Sequence, residues 1–318
     1  MVMGLYYSGG RDWSFDYTLN PEKMTPGVPQ SEEYAEYAEA HIRELFTKYK
    51  PCILWNDMGY PRFEKEKNLY NIFAKLFNEV CPGASLTNNR WGMHSNSRKL
   101  RYGGDFQTPE YTHLEEVAEE AWEMNRGLGF SFGYNRIEGE EETISVGNLT
   151  RLLIDVVSKN GNMLLDLAPL SNGSFSAIQT NRLHDLAKFM SVYDRTIQFS
   201  RPFLPVGSKP SGNYRFTRSK RSDKLFIHVM NTDVVSSQYI VPIGIHDESE
   251  SSFYEASVIL HDGKVEPLVV QTRNKETVFT LPYVYHSEND WPICIVLYNL
   301  EKNRKKTLFQ VWSDVEAN

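Results

Sequence analysis

Short apolar runs alternate with helical patterns from residue 4 to about residue 195, and this alternation restricts the chain more than any other feature. Repeated β-then-α units form a parallel sheet covered by helices. The runs are Gly4 to Ser8, Cys52 to Asp57, Ala84 to Asn88, Gly129 to Tyr134 and Asn162 to Pro169. Between them, Ser31 is placed to cap a helix with Tyr34, Ala38, Ile42, Leu45 and Phe46 on one face, closed by Pro51. Further helices are expected over about 64–80, 113–126, from Ser145 to a stop at Gly161, and over about 176–195.

A closed (β/α)8 barrel needs eight such units and typically about 250 residues, more than this stretch supplies. Beyond residue 200 the pattern changes to short strands separated by turn residues, including Leu225 to Val229, Tyr239 to Val241, Ala256 to Leu260, Thr277 to Leu281 and Ile293 to Leu297. These read as an antiparallel β-sandwich. The pattern by itself therefore gives an α/β portion of five βα units over 1–200 and a β-sandwich over 201–318, with the hinge between Arg201 and Gly207.

A net charge of −7 argues against nucleic acid or an anionic membrane surface as partner. The basic runs Arg218 to Arg221 and Lys302 to Lys306 read as solvated loops, and no apolar run reaches the ~20 residues of a membrane span. Three cysteines, Cys52, Cys81 and Cys294, read as too few and too scattered for a disulfide framework or a zinc site, and suit a reducing compartment. A cytoplasmic location follows only if Met1 is the natural start; otherwise the compartment is open.

In a parallel sheet, functional residues collect at the carboxyl ends of strands. Polar clusters stand there at Ser8 to Trp13, Asn56 to Tyr60, Asn88 to Trp91 and Tyr134 to Arg136. Asp57 is the sharpest candidate, a carboxylate directly after an apolar strand, although such a residue also serves as a helix cap or an orienting group. Glu110 could be its proton-trading partner, or could simply complement the dipole of the helix expected after it. The run Glu138 to Glu142 reads as loop solvation, with Glu138 held as the substitute for Glu110. No phosphate loop, Ser-His-Asp arrangement or metal-ligand spacing is visible, so no cofactor or metal is expected.

Trp55-Asn-Asp-Met-Gly-Tyr-Pro61 resembles the nucleophile motif of the α-L-fucosidases of glycoside hydrolase family 29. Gly4 to Trp13, Asn89 to Gly92, Ser131 to Asn135, and Val156 to Asn162 followed by Ala168-Pro169 are similar to other segments of that family, in family order. The resemblance implies removal of terminal α-L-fucose from glycans through a covalent intermediate. It implies Asp57 as nucleophile, Glu110 as acid/base, and Tyr6, Trp55, Arg90 and Phe132 as sugar contacts. Asn89 departs from the acidic residue usual there, and Asp166 to Ala168 from the usual Asn-Val-Gly.

The resemblance also implies that 1–200 is an incomplete (β/α)8 TIM-like barrel lacking its first strands, because three further βα units, with histidines that bind the sugar hydroxyls, precede the Tyr6-Tyr7-Ser8 strand in family members and have no counterpart here. Self-association, or a separate chain supplying that segment, would complete such a barrel. The rival expectations are an inactive remnant and a fucose-binding protein without turnover.

Overall fold

The computed structural model describes residues 2–10, 12, 14–15, 28–29, 31–61, 67–91, 104–210, 212–221, 223–231, 238–241, 255–273, 276–281 and 290–298. Parts of the Ser8 to Trp13 cluster and the basic run at 302–306 lie outside the described residues. The chain divides into two compact units, Met1–Thr108 with Glu120–Glu123, and Pro109–Glu119 with Met124–Asn318.

In the first unit, strands β1 (Gly4–Ser8), β2 (Ile53–Asp57) and β3 (Leu86–Thr87) form a parallel sheet in that order. Helix α1 (Glu32–Tyr49) joins β1 to β2. Ser31 caps it by accepting from the Tyr34 N–H, and Glu32 and Glu33 lie at the positive end of its dipole. Lys50, with φ at 47°, ends it in the left-handed conformation before Pro51. Helix α2 (Lys67–Lys75) runs into a π-helical turn at Leu76–Val80. Ala38, Ile42, Phe46, Leu54, Leu69, Ile72, Leu76 and Trp91 pack into one core between helices and sheet.

Cys52 and Cys81 are joined by a disulfide, which corrects the expectation of unpaired thiols. A βα unit returns the chain to the start of its own strand. Cysteines 29 positions apart thereby reach a Cα separation of 5.2 Å. Cys294 is free and buried.

The second unit holds β4 (Trp122–Gly127, whose first two residues belong to the first unit), α3 (Val146–Ser158), β5 (Gly161–Asp166) and α4 (Ala177–Ile197). Two further corrections fall here. No helix forms over 113–126, and the strand expected at Gly129 to Tyr134 lies instead at Trp122–Gly127, paired with β5. The Glu- and Ala-rich stretch has helical propensity, but tertiary contacts override it. Val117 is buried among β-strand side chains, its N–H donates to Ser208 O, and its C=O accepts from Gly207 N. The Ala118 N–H donates to Lys159 O. A third correction is small: Asn160, with φ at 69°, takes the left-handed position after α3, and Gly161 opens β5.

The remaining strands are β6 (Ser200–Pro202), β7 (Tyr214–Ser219), β8 (Lys224–Val229), β9 (Gln238–Val241), β10 (Ala256–Ile259), β11 (Val265–Arg273), β12 (Glu276–Thr280) and β13 (Ile293–Tyr298). They form one eight-stranded sheet in the order β6-β7-β8-β13-β10-β11-β12-β9, with every neighbouring pair antiparallel. Leu225, Ile227, Ile293, Ile295 and Leu297 pack on one face, and Phe226, Cys294 and Val296 pack with α3 and α4 on the other. Burial on both faces explains why β13 reads as an unbroken apolar run and β8, after Lys224, as one interrupted only by His228.

Candidate active site

The sheet register places Tyr6 beside Trp55, Tyr7 beside Asn56 and Ser8 beside Asp57. Side chains alternate along a strand, so Asp57 and Trp55 share one face of β2 while Asn56 takes the other. Asn56, fully buried, is locked by exchange with Asn88: its N–H donates to Asn88 Oδ1 at 2.9 Å, and Asn88 Nδ2 donates to Asn56 O at 2.8 Å. Its own amide donates to Gly59 O and Arg90 O at 2.8 and 2.9 Å. Asn56 therefore ties the turn after β2 to the segment carrying Arg90. Met58 and Gly59 both take positive φ, 62° and 87°, which bends the chain sharply away after Asp57.

Both carboxylate oxygens of Asp57 are held. Tyr6 Oη donates to Oδ2 at 2.8 Å, Arg90 Nη1 donates to Oδ1 at 2.9 Å, and the Met58 N–H donates to Oδ1 at 2.8 Å. Asp57 and Arg90 side chains are each 19% exposed, so the pair is sheltered yet reachable. Burial, with the Asp57 carboxylate as the next cause, pushes the Tyr6 phenol up to about 12, which keeps it a proton donor across the ordinary pH range. Arg90 is braced independently, with Nε donating to Thr108 Oγ1 at 2.8 Å and Nη2 to Thr108 O at 2.7 Å. Asn89 accepts from that same threonine hydroxyl at 3.2 Å.

Trp55 lies under both donors. Its ring stacks with Tyr6 at 5.6 Å, and the Arg90 guanidinium carbon is 4.7 Å from its centroid. Its Nε1–H donates to Glu123 Oε1 at 2.9 Å. Burial pushes the half-buried Glu123 carboxyl up, opposed by the Trp55 N–H and by Arg90. The sequence reading missed Glu123 because it fell inside an expected helix. The apolar-polar alternation of Trp122-Glu-Met-Asn125, which suits a strand, was the available signal. Trp91, in one of the strand-end clusters, is instead a core residue against Tyr60 and Phe73, with its indole N–H on Thr87.

The structure thus brings together Tyr6, Trp55, Asp57 and Arg90 in the first unit. Glu110 and Phe132 belong to the second unit. Glu110 is exposed and bridges to Asn125 in parallel register, fixed on either side by Asn125 N–H to Pro109 O and Tyr111 N–H to Asn125 O, both 3.0 Å. The element after Glu110 is β4 and not a helix, so a helix dipole is not what it serves. Phe132 packs edge-on against Tyr111 at 5.2 Å, and the Tyr111 hydroxyl accepts from the Gly127 N–H at 3.1 Å. Glu138 Oε1 accepts from Ser131 N and Oγ at 2.9 and 2.7 Å, which makes it a loop tie. Among the described residues no cluster of three or more metal-ligating side chains occurs. None of their helices is long and apolar enough to cross a membrane.

A family model described as Alpha-L-fucosidase matches residues 1–195. Plasma alpha-L-fucosidase of Homo sapiens is 27% identical over 199 residues, 61% of this chain and 41% of that protein. A putative alpha-L-fucosidase of Caenorhabditis elegans is 24% identical over 262 residues, 80% of this chain and 52% of that one. Among solved structures, the Thermotoga maritima alpha-fucosidase in complex with fucose superposes with a TM-score of 0.71 at 29% identity, covering 92% of this chain and 64% of that chain. The chain spans about half or less of the length of these curated relatives.

Proposed function

The chain belongs to the α-L-fucosidase family, and on that premise we propose that it hydrolyses terminal α-L-fucosides with retention of configuration, Asp57 acting as nucleophile. The observation that supports this reading is the treatment of Asp57: a carboxylate at a strand end, with both oxygens oriented by Tyr6, Arg90 and the Met58 N–H. Held this way, it can attack the anomeric carbon without reorganising. The bond from the anomeric carbon to an Asp57 oxygen forms as the bond to the leaving oxygen breaks. Arg90 and Tyr6 then release part of their hold as the carboxylate charge is consumed.

Glu110 is proposed as the acid/base that protonates the leaving oxygen and afterwards takes a proton from the attacking water. Two inversions at one carbon give net retention, and the assignment requires about 5–5.5 Å between the two carboxyl groups when substrate is bound. Trp55 and Phe132 are proposed to lie against the apolar edge of the sugar, where the C6 methyl of fucose offers a surface that hexoses lacking it do not. Fucosylated glycans and glycosides are the proposed substrates. A catalytic (β/α) barrel portion over 1–200 and a β-sandwich over 201–318 are the proposed domains.

The test is hydrolysis of a chromogenic aryl α-L-fucoside by this chain beside Asp57→Ala. The reading expects turnover that falls by about 10³-fold or more in the variant, as removal of a nucleophile does. A folded wild-type chain that binds L-fucose but shows no turnover would replace it with the binding-protein reading. Equal activity in both proteins would remove Asp57 from the mechanism.

A further inference from the structure

Glu123 has no part in the mechanism just described, yet its carboxylate is the acceptor of the Trp55 indole N–H. An indole carries one donor, so this bond is the only directional polar contact its ring nitrogen can make. Apolar contacts alone leave the terminal torsion of an aromatic side chain broad, and a hydrogen bond from the ring edge narrows it. The carboxylate is half-buried and therefore costly to place there without partners.

The backbone around Glu123 is anchored to the segment that braces Arg90. The Glu123 N–H donates to Gln107 O at 2.7 Å, the Gln107 N–H donates to Ala121 O, and Gln107 bridges to Trp122. The next residue, Thr108, holds Arg90 through its hydroxyl and its carbonyl. Trp55 in turn is the surface on which both Tyr6 and Arg90 rest, and these are the side chains that hold the two oxygens of Asp57.

We propose that Glu123 is a positioning residue for Asp57, acting through Trp55: it fixes the indole, and the indole fixes the two donors that aim the carboxylate. This rests on the reading of Asp57 as nucleophile. Rotation of an unanchored indole would withdraw the surface on which Tyr6 stacks and over which the Arg90 guanidinium lies, and misplacement of a reacting group by about 1 Å can cost on the order of 10²-fold in rate. Glu123 hydrogen-bonds Trp55 and not Asp57, and because Trp55 is also a proposed sugar contact, loss of the anchor should lower kcat chiefly and raise KM to a smaller extent.

The experiment compares hydrolysis of an aryl α-L-fucoside by wild type, Glu123→Ala, Glu123→Gln, Trp55→Phe, the Ala/Phe double variant and Asp57→Ala. Glu123→Ala should lower kcat by about 10- to 100-fold, the size expected for losing a hydrogen bond to a charged group. Glu123→Gln keeps an acceptor oxygen and should recover to within about 3-fold of wild type. Once Trp55 is phenylalanine, removing Glu123 should add less than about 2-fold, because the two act as one unit. A second readout is independent of turnover: the Trp55 indole N–H in a nitrogen-15 tryptophan spectrum, assigned by its loss in Trp55→Phe. It should be protected from exchange in wild type and Glu123→Gln, and exposed to exchange in Glu123→Ala. An unchanged indole signal in Glu123→Ala, or effects of the two substitutions that simply multiply, overturns the proposal. Asp57→Ala as active as wild type would instead remove the nucleophile reading, and the indole signals would still decide whether Glu123 anchors Trp55.

Discussion

The Cys52–Cys81 disulfide should contribute a large share of the stability of the unit that carries Asp57. Cys52 immediately precedes β2, and Cys81 follows the π-helical turn after α2, so the bond ties the two ends of one strand-helix unit. A sequence separation of 29 closes a loop for which the chain-entropy model removes roughly 12 cal/mol/K from the unfolded state, about 3.6 kcal/mol at 25 °C. Both cysteines are half-buried, so Cys52→Ala with Cys81→Ala leaves little cavity to add to that figure. The backbone of Cys52 lies between its sheet neighbours, its N–H donating to Met3 O at 3.0 Å and its C=O accepting from Leu86 N at 2.8 Å. Loosening should therefore begin at the strand that ends in Asp57. Urea unfolding followed by tryptophan emission would measure it, with oxidised wild type set beside reduced wild type and the double variant. With a slope of about 2 kcal/mol/M, the midpoint should fall by roughly 1.8 M, equally in the last two samples. A midpoint unchanged to within about 0.3 M would refute the reasoning, since the bond would then restrain nothing that unfolding frees.

Two further outcomes follow from the same geometry. Tyr6→Phe keeps the stack on Trp55 but removes the donor to Asp57 Oδ2, and should reduce kcat for an aryl fucoside by about 10- to 100-fold with little change in melting temperature. His228, fully buried on β8 with Nε2 against Thr217 Oγ1 at 3.0 Å, has its pKa pushed down to about 3 by burial, from 6.5. Below pH 6.5 the unfolded chain takes up a proton that the native chain refuses, so stability falls with pH from about 6.5 toward 3, by up to about 1.4 kcal/mol per pH unit. Replacing His228 by Gln should flatten that part of a urea-midpoint profile, and an unaltered slope would show that other groups carry it.

The elements with strong local signals were legible in the sequence. Ser31, Ser145 and Ser176 cap their helices by accepting from the third residue on, Tyr34, Asn148 and Gln179, as side chains of that length and polarity do. The strands ending in Ser8 and Asp57 stand where short apolar runs met polar clusters. The stretch 113–126 was misread because its composition favours a helix, whereas the hydrogen bonds of Val117, Ala118 and Glu123 go to Ser208, Lys159 and Gln107. Those partners are distant in sequence, and no window of local pattern contains them. The same limit hid β7 and β11, whose mixed sequences Tyr214–Ser219 and Val265–Arg273 become strands by pairing with β8, β10 and β12.

For the candidate site, the division is similar. The residue types and order, Tyr6, Trp55, Asp57 and Arg90, were determined by the sequence, because Asp57 ends β2, Tyr6 and Trp55 lie two residues before the ends of β1 and β2, Arg90 follows β3, and a parallel sheet collects its strand ends along one edge. Only the tertiary structure decided that Tyr6 and Arg90 take opposite oxygens of Asp57, that Trp55 supports both, and that Glu123 anchors Trp55. It also decided that Cys52 meets Cys81. Strand ends follow from local periodicity, whereas which atoms meet there depends on register, side-chain torsion and the return path of each helix, and these are settled by packing across the whole unit.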